Sequence, residues 1–147
     1  MPYFPRIILY FDGASRNNPH GPAGCGWTLY TMNWDGADCC KLGTGRSYLG
    51  YNVSNNEAEY EGLERGLKTF SENDVSCNRL YIRGDSEIVI NQMLGEYQVR
   101  SRRIMPHYRN AKSALHEVDW DQVTFRYIPR YKNWEADQLA NDAIRKR

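Results

Sequence analysis

Four acidic residues border elements that otherwise read as buried. Asp12 follows the apolar run 7–11 in "RIILYFDGASRNNP", and Asp85 closes the short apolar stretch "RLYIRGD". Glu59 neighbours Gly62, Leu63 and Gly66 on a helical stripe, and Asp137 follows Ala136 on the first turn of the closing helix. Carboxylates are oxygen donors for a hard cation. Crowded into one low-dielectric cleft without a cation, they repel one another strongly. The four lie 47, 26 and 52 positions apart (59−12, 85−59, 137−85), so no local motif joins them and only a fold could. Each also has an ordinary structural reading. The helix macrodipole favours an acid in a first turn, which accounts for Asp137 and partly for Glu59. Aspartate before Gly or Ser is common where strands turn.

The elements that must position these acids are legible from periodicity. Residues 7–11 read as a buried strand, followed by the turn-rich loop "NNPHGPAG". A second strand covers 25–32, Asp35-Gly36 marks a hairpin turn, and a third strand lies within "CCKLGTGRSYLG". The period changes at Asn55. Ala58, Gly62, Leu63, Gly66, Leu67 and Phe70 recur at helical spacing, with Ser54 or Asn55 as cap. Gly62 and Gly66 weaken a helix, so they are expected to let it lie close against a sheet. Strand 79–85, a helix begun near Ser86, a helix with Pro106 in its first turn and strand 122–129 follow. The last helix has Asn133 as cap and Ala136, Ala140, Ala143 and Ile144 inward. Three hairpin-joined strands and then strand–helix alternation predict a mixed sheet with helices packed on it.

Composition narrows the setting. A chain of 147 residues is the size of one domain, here 1–147, and a formal charge of +1 gives no global bias toward polyanions. No apolar run approaches the ~20 residues of a membrane span, and the start lacks the features of a secretory signal. A cytoplasmic location follows by elimination, with no membrane partner. Cys25, Cys39, Cys40 and Cys77 form no C-x-x-C pair and have no histidine at ligand spacing, so they read as buried, reduced and inert.

Four segments carry a resemblance. "YFDGASRNNPHGPAGCGW", "SNNEAEYEGL", "IRGDSEIVINQ" and "IPRYKNWEADQLAN" resemble, in order, the four motif regions of type 1 ribonuclease H. The likeness runs from about residue 7 to residue 144, each motif centred on one of the four acids. "GEYQVRSRRIMPHY" resembles the compact members, which lack an additional basic protrusion. The resemblance implies an α/β fold, a five-stranded mixed sheet of three antiparallel and then parallel strands flanked by helices. It also implies an endoribonuclease that cuts the RNA strand of RNA–DNA hybrid duplexes, leaving a 5′-phosphate and a 3′-hydroxyl.

By the same resemblance Asp12, Glu59, Asp85 and Asp137 are catalytic and hold two Mg²⁺ ions, for which Mn²⁺ substitutes, with Asp12 bridging them. Two divalent ions about 4 Å apart remove the repulsion among the acids and clamp the attacking and leaving oxygens of an in-line displacement. Substrate contact falls to Gly13, Asn18, Ser54, Asn55, Asn56 and Arg130. The asparagines and backbone groups match positions that read the 2′-hydroxyl separating RNA from DNA, and Ser54 matches a contact to a DNA-strand phosphate. Asn18 and Asn55 also suit turn and cap chemistry, and both roles can coexist.

Some features remain open or depart from the pattern. Arg100, Arg102, Arg103, Arg109 and Lys112, interleaved with Tyr97, His107 and Tyr108, suit phosphate contact, and a solvated surface has the same composition. Arg130 stands where many bacterial relatives have histidine, and an arginine cannot shuttle protons near neutrality. His20 reads as an exposed loop insertion, and Glu87 stands where glutamine often follows the "DS" pair. Motifs near both ends favour a free-standing protein, and nothing demands a dimer, so a monomer is expected. Two rival functions are a same-fold nuclease acting on DNA and a hybrid-binding module that has lost catalysis.

Overall fold

The computed structural model describes residues 2–118 and 122–147. Its strands are β1 (Tyr3–Ser15), β2 (Pro22–Met32), β3 (Asp38–Tyr51), β4 (Ser76–Gly84) and β5 (Val123–Tyr127). Its helices are α1 (Asn55–Glu72), α2 (Glu87–Leu94), α3 (Met105–His116) and α4 (Trp134–Arg145), with a 3-10 turn at Arg130–Asn133 leading into α4. The strands form one sheet in the order β3-β2-β1-β4-β5. The pairs β1–β2 and β2–β3 are antiparallel, whereas β4 runs parallel to β1 and β5 parallel to β4. This is the mixed architecture that the order of elements predicts. Residues 95–104, between α2 and α3, contain no further helix, and among the described residues no helix is long and apolar enough to cross a membrane.

The central strand β1 feeds two cores. Ile7, Leu9 and Phe11 pack with Leu63, Leu67 and Phe70 of α1, with Val89, Ile90 and Met93 of α2 and with Ala111 and Leu115 of α3. Side chains alternate along a strand, so the equally buried Ile8 serves the opposite face. There α4 covers β2 with Ala136, Ala140, Ala143 and Ile144, all buried as their spacing predicts.

Both helices approach the sheet through glycine. A Cβ on Gly62 of α1 would lie 2.6 Å from the Asp12 carbonyl oxygen, and one on Gly26 of β2 would lie 2.7 Å from the Ala136 carbonyl oxygen. Gly62 therefore serves close packing, as expected from its helix-weakening cost. Ser54 caps α1 in a capping box: its hydroxyl accepts from the Glu57 N–H while the Glu57 carboxylate accepts from the Ser54 N–H. Pro106 occupies the first turn of α3 as predicted.

Three expectations are corrected. β1 does not stop at Asp12: its pairing with β2 continues through Asp12↔Gly26 to Ser15↔Ala23, because ladder bonds need backbone and not apolar side chains. Asp12 thus lies within a strand. Asn133 makes no side-chain cap bond to α4 and is buried instead. Of the cysteines, Cys25 and Cys77 are buried, but Cys39 and Cys40 are exposed on the edge strand β3.

Candidate active site

Asp12 from β1, Glu59 from α1 and Asp85 from the turn after β4 converge, each offering an oxygen within 4.8 Å of the others. Asp12 is 3% exposed and Glu59 8%, so Glu59 lies deeper than its position at the edge of a helical stripe suggests. Asp137, on the first turn of α4, lies outside this cluster but lines the same cleft of about 510 Å³. The four acids predicted from sequence therefore share one cleft, three in contact and one on the wall.

Burial governs their protonation. The Asp12 carboxyl is pushed up to about 8, first by desolvation, with Asp85 and Asp137 adding to the rise and the Glu59 and Gly13 hydrogen bonds opposing it. Glu59 is driven well above its ordinary value by burial and then by Asp12 beside it. Asp85 is also raised, by burial first, while hydrogen bonds from Asp12 and Asn133 resist. Retained protons let such a trio stay together in low dielectric. Glu59 Oε2 is buried with no hydrogen-bond partner, an expensive state for a carboxylate oxygen. Three convergent carboxylates, an orphaned buried oxygen and a fourth acid alongside fit a hard divalent cation.

Neighbouring groups fix the acids. The Gly13 N–H donates to Asp12 Oδ1 at 2.9 Å, and Gly13 lies directly against the Ala58–Glu59 backbone. Asn133 Nδ2 donates to the Phe11 carbonyl at 2.9 Å, tying the turn before α4 to the residue preceding Asp12. Asn141, one turn after Asp137, donates to Asp137 Oδ1 at 3.2 Å, and Arg130 Nη2 reaches the same oxygen at 3.4 Å. Arg130 is on the cleft wall, as are Gly13 and Asn55.

The remaining predicted contact residues flank this wall. Asn18 is exposed and its Oδ1 accepts from the Asn55 N–H at 3.0 Å, while Asn55 Oδ1 accepts from the Ser15 N–H at 2.8 Å. Asn18 and Asn55 thus brace the loop before α1 against the end of β1. Ser54 is engaged in capping, and Asn56 is half-buried in the first turn of α1; neither lines the cleft.

Sequence reasoning missed several residues here. Arg16, Ser86, Tyr127 and Asn141 also line the cleft. Asn141 was accessible to reasoning, since a residue four beyond Asp137 shares its helix face. Glu57 is another omission. Its carboxylate takes Arg103 Nε on one oxygen and His107 Nε2 at 2.9 Å on the other, while Arg103 Nη2 also donates to the Asn52 carbonyl. The basic stretch therefore divides. Arg103 and His107 lock the loop before α1, Lys112 Nζ donates to the Met93 carbonyl at 3.2 Å, and Arg100, Arg102 and Arg109 are exposed. His20 is exposed as expected, and the Tyr97 hydroxyl donates to Glu87 at 3.4 Å.

Comparison with known proteins agrees with this geometry. Residues 10–143 match the family model described as reverse transcriptase-like. The chain is 34% identical over 139 residues to a ribonuclease HI of Halobacterium salinarum, covering 95% of this chain and 64% of that protein. The crystal structure of RNase H1 from the same archaeon superposes with a TM-score of 0.82 at 32% identity, covering 97% of this chain and 99% of the other. The N-terminal RNase H domain of a Mycobacterium tuberculosis protein gives 0.83 at 30% identity, covering 96% and 94%. LC11-RNase H1, solved in complex with an RNA/DNA hybrid, gives 0.81 at 33% identity, covering 95% and 97%. The chain spans 64% of the length of the Halobacterium relative and 35% of the mycobacterial one. Sequence, strand order and the meeting of distant acids point the same way: this chain belongs to the type 1 ribonuclease H family.

Proposed function

We propose that the chain is an endoribonuclease that hydrolyses the RNA strand of RNA–DNA hybrids, leaving a 5′-phosphate and a 3′-hydroxyl. The observation that carries this reading is the convergence of Asp12, Glu59 and Asp85 within 4.8 Å, in a cleft that Asp137 also lines. A solved relative in complex with an RNA/DNA hybrid supports the choice of substrate. Asp12, Glu59, Asp85 and Asp137 would hold two divalent ions, Mg²⁺ with Mn²⁺ as a substitute. The chemistry such ions supply is charge neutralisation and Lewis-acid activation at the scissile phosphate.

The chain's own residues do the rest. The Gly13 N–H and the Asn133 grip on the Phe11 carbonyl hold Asp12 in one orientation. Asn141 and Arg130 both hold Asp137 through its Oδ1. The Arg130 guanidinium is 76% exposed and offers planar N–H donors suited to a phosphate oxygen, so its part is binding and not proton transfer. Asn55, anchored by Ser15 and Asn18, presents a fixed polar group beside the cleft where a 2′-hydroxyl is to be read. All of these residues come from one chain, and the proposed working form is a monomer.

The test uses end-labelled hybrid, duplex DNA and duplex RNA with millimolar Mg²⁺. Wild-type protein is expected to cut the RNA strand of the hybrid alone, and Asp85→Asn to abolish cutting. Cleavage that survives Asp85→Asn rejects the mechanism, comparable cutting of DNA replaces the substrate, and binding without cutting leaves a hybrid-recognition module.

A further inference from the structure

The two cysteines that the structure exposes are also brought together. Successive side chains of a strand point to opposite faces, yet Cys39 Sγ and Cys40 Sγ lie 3.5 Å apart. A bulge is responsible. Tyr30 pairs with Lys41 and Met32 with Asp38, so Cys39 and Cys40 together oppose the single residue Thr31. Bulges re-aim side chains in this way and concentrate at sheet edges. The Cys40 N–H leaves the ladder and donates to Thr31 Oγ1 at 3.0 Å, which fixes the bulge by a side chain. β3 is a terminal strand of the sheet, so the pair faces solvent.

The separation is that of direct thiol contact, which puts both sulfurs within reach of one bound atom. Two sulfurs bound at about 2.3 Å to one centre stand roughly 3.3 Å apart at a pyramidal angle near 90° and roughly 3.8 Å apart at the tetrahedral angle, a range that brackets the 3.5 Å found here. Both thiols can therefore close on one third atom with little movement. We propose that Cys39 and Cys40 form a two-thiol capture site for trivalent arsenicals, a chemistry shared with soft divalent cations such as Cd²⁺. The site is independent of the acidic cleft and of the function assigned to it. With a monosubstituted arsenic(III) oxide, two As–S bonds form and the As=O bond is lost. The two thiol protons and the oxide oxygen leave as water, and no atom changes oxidation state. The second thiol attaches at high effective concentration, which separates this pair from the solitary Cys25 and Cys77.

The experiment incubates the full chain with one equivalent of phenylarsine oxide, followed by intact mass measurement and titration of accessible thiols. A single adduct with loss of two titratable thiols is expected, reversed by a small dithiol and resistant to a monothiol. Cys39→Ser and Cys40→Ser should each weaken retention roughly 100-fold, whereas Cys25→Ser and Cys77→Ser retain the adduct. A Cd²⁺ arm, read by thiolate-to-metal charge-transfer absorbance, should lose its signal in the same two variants. Circular dichroism and hybrid cleavage of Cys39→Ser should match the wild type, since both side chains are on the surface. No adduct on the wild type, or an adduct that survives either single substitution at 39 or 40, overturns the proposal.

Discussion

Asp12, Glu59 and Asp85 contrast with Asp137, although all four face one cleft. The trio is mounted on core elements, and burial lifts its carboxyls. The Asp137 side chain is 28% exposed on a helix end, and it is oriented by Arg130 and Asn141. The trio has its geometry imposed and its charge resisted by the same surroundings, whereas Asp137 is partly exposed and held by polar neighbours. Stability and catalysis should therefore oppose each other at the trio and be nearly independent at Asp137.

The largest expected effect tests this directly. Several kcal/mol of transition-state stabilisation from bound cations corresponds to roughly 10³-fold in rate, and both Asp12→Asn and Asp137→Asn should lose about that much hybrid cleavage. In metal-free buffer the two should diverge. Asp12→Asn relieves a buried carboxylate and raises the melting temperature, while Asp137→Asn stays within about 0.5 kcal/mol of wild type. Equal stability changes in the two variants would erase the contrast.

Next in size is the pH response of the metal-free protein. Asp12 has an ordinary value of 3.8 and a folded value of about 8, and Glu59 and Asp85 move in the same direction. Between those pH values the folded state binds more protons than the unfolded chain, so stability falls as pH rises from about 4 to about 8. Chemical denaturation across that range measures the slope, and saturating Mg²⁺ should flatten it. A metal-free protein that gains stability between pH 5 and 8 contradicts the account of the trio.

Asn133→Ala should cost about 1–3 kcal/mol, the penalty for leaving the buried Phe11 carbonyl without its partner. Because Phe11 precedes Asp12, cleavage should fall at unchanged KM. The smallest effect is expected at Arg130→Gln. An exposed ion pair contributes at most about 1 kcal/mol, so stability should be unchanged. KM for hybrid should rise several-fold at low salt and by less at high salt, where the lost phosphate contact is already screened. A loss of kcat alone would move Arg130 from binding to chemistry.

The elements and the four acids were legible in the chain, since apolar periodicity and placement beside buried runs are both local. What escaped depends on pairing across distance. The extension of β1 through Gly13, Ala14 and Ser15 has no apolar signal and comes from the β2 ladder. Glu57 reads locally as a first-turn acid, and its partners Arg103 and His107 lie 46 and 50 positions away. Asn133 occupies a capping position, but the buried Phe11 carbonyl 122 residues upstream takes its amide. Cys39 and Cys40 were expected to be buried because a single strand's sequence does not show that the strand lies at the edge of the sheet.

The bare backbone of Gly24 and Gly26 beneath α4 has a consequence of its own. A methyl on either would strike the helix backbone, at the Ala140 and Ala136 carbonyls respectively. The standoff between helix and sheet is thus set where two bare glycines meet the helix backbone, with the Leu139, Ala143 and Ile144 side chains packed alongside. Asp137 rides on that helix, so its height above the cleft is gauged from the strand beneath the helix. A methyl inserted there would act as a shim, lifting one acid out of reach of the other three while every residue of the cleft remained unaltered.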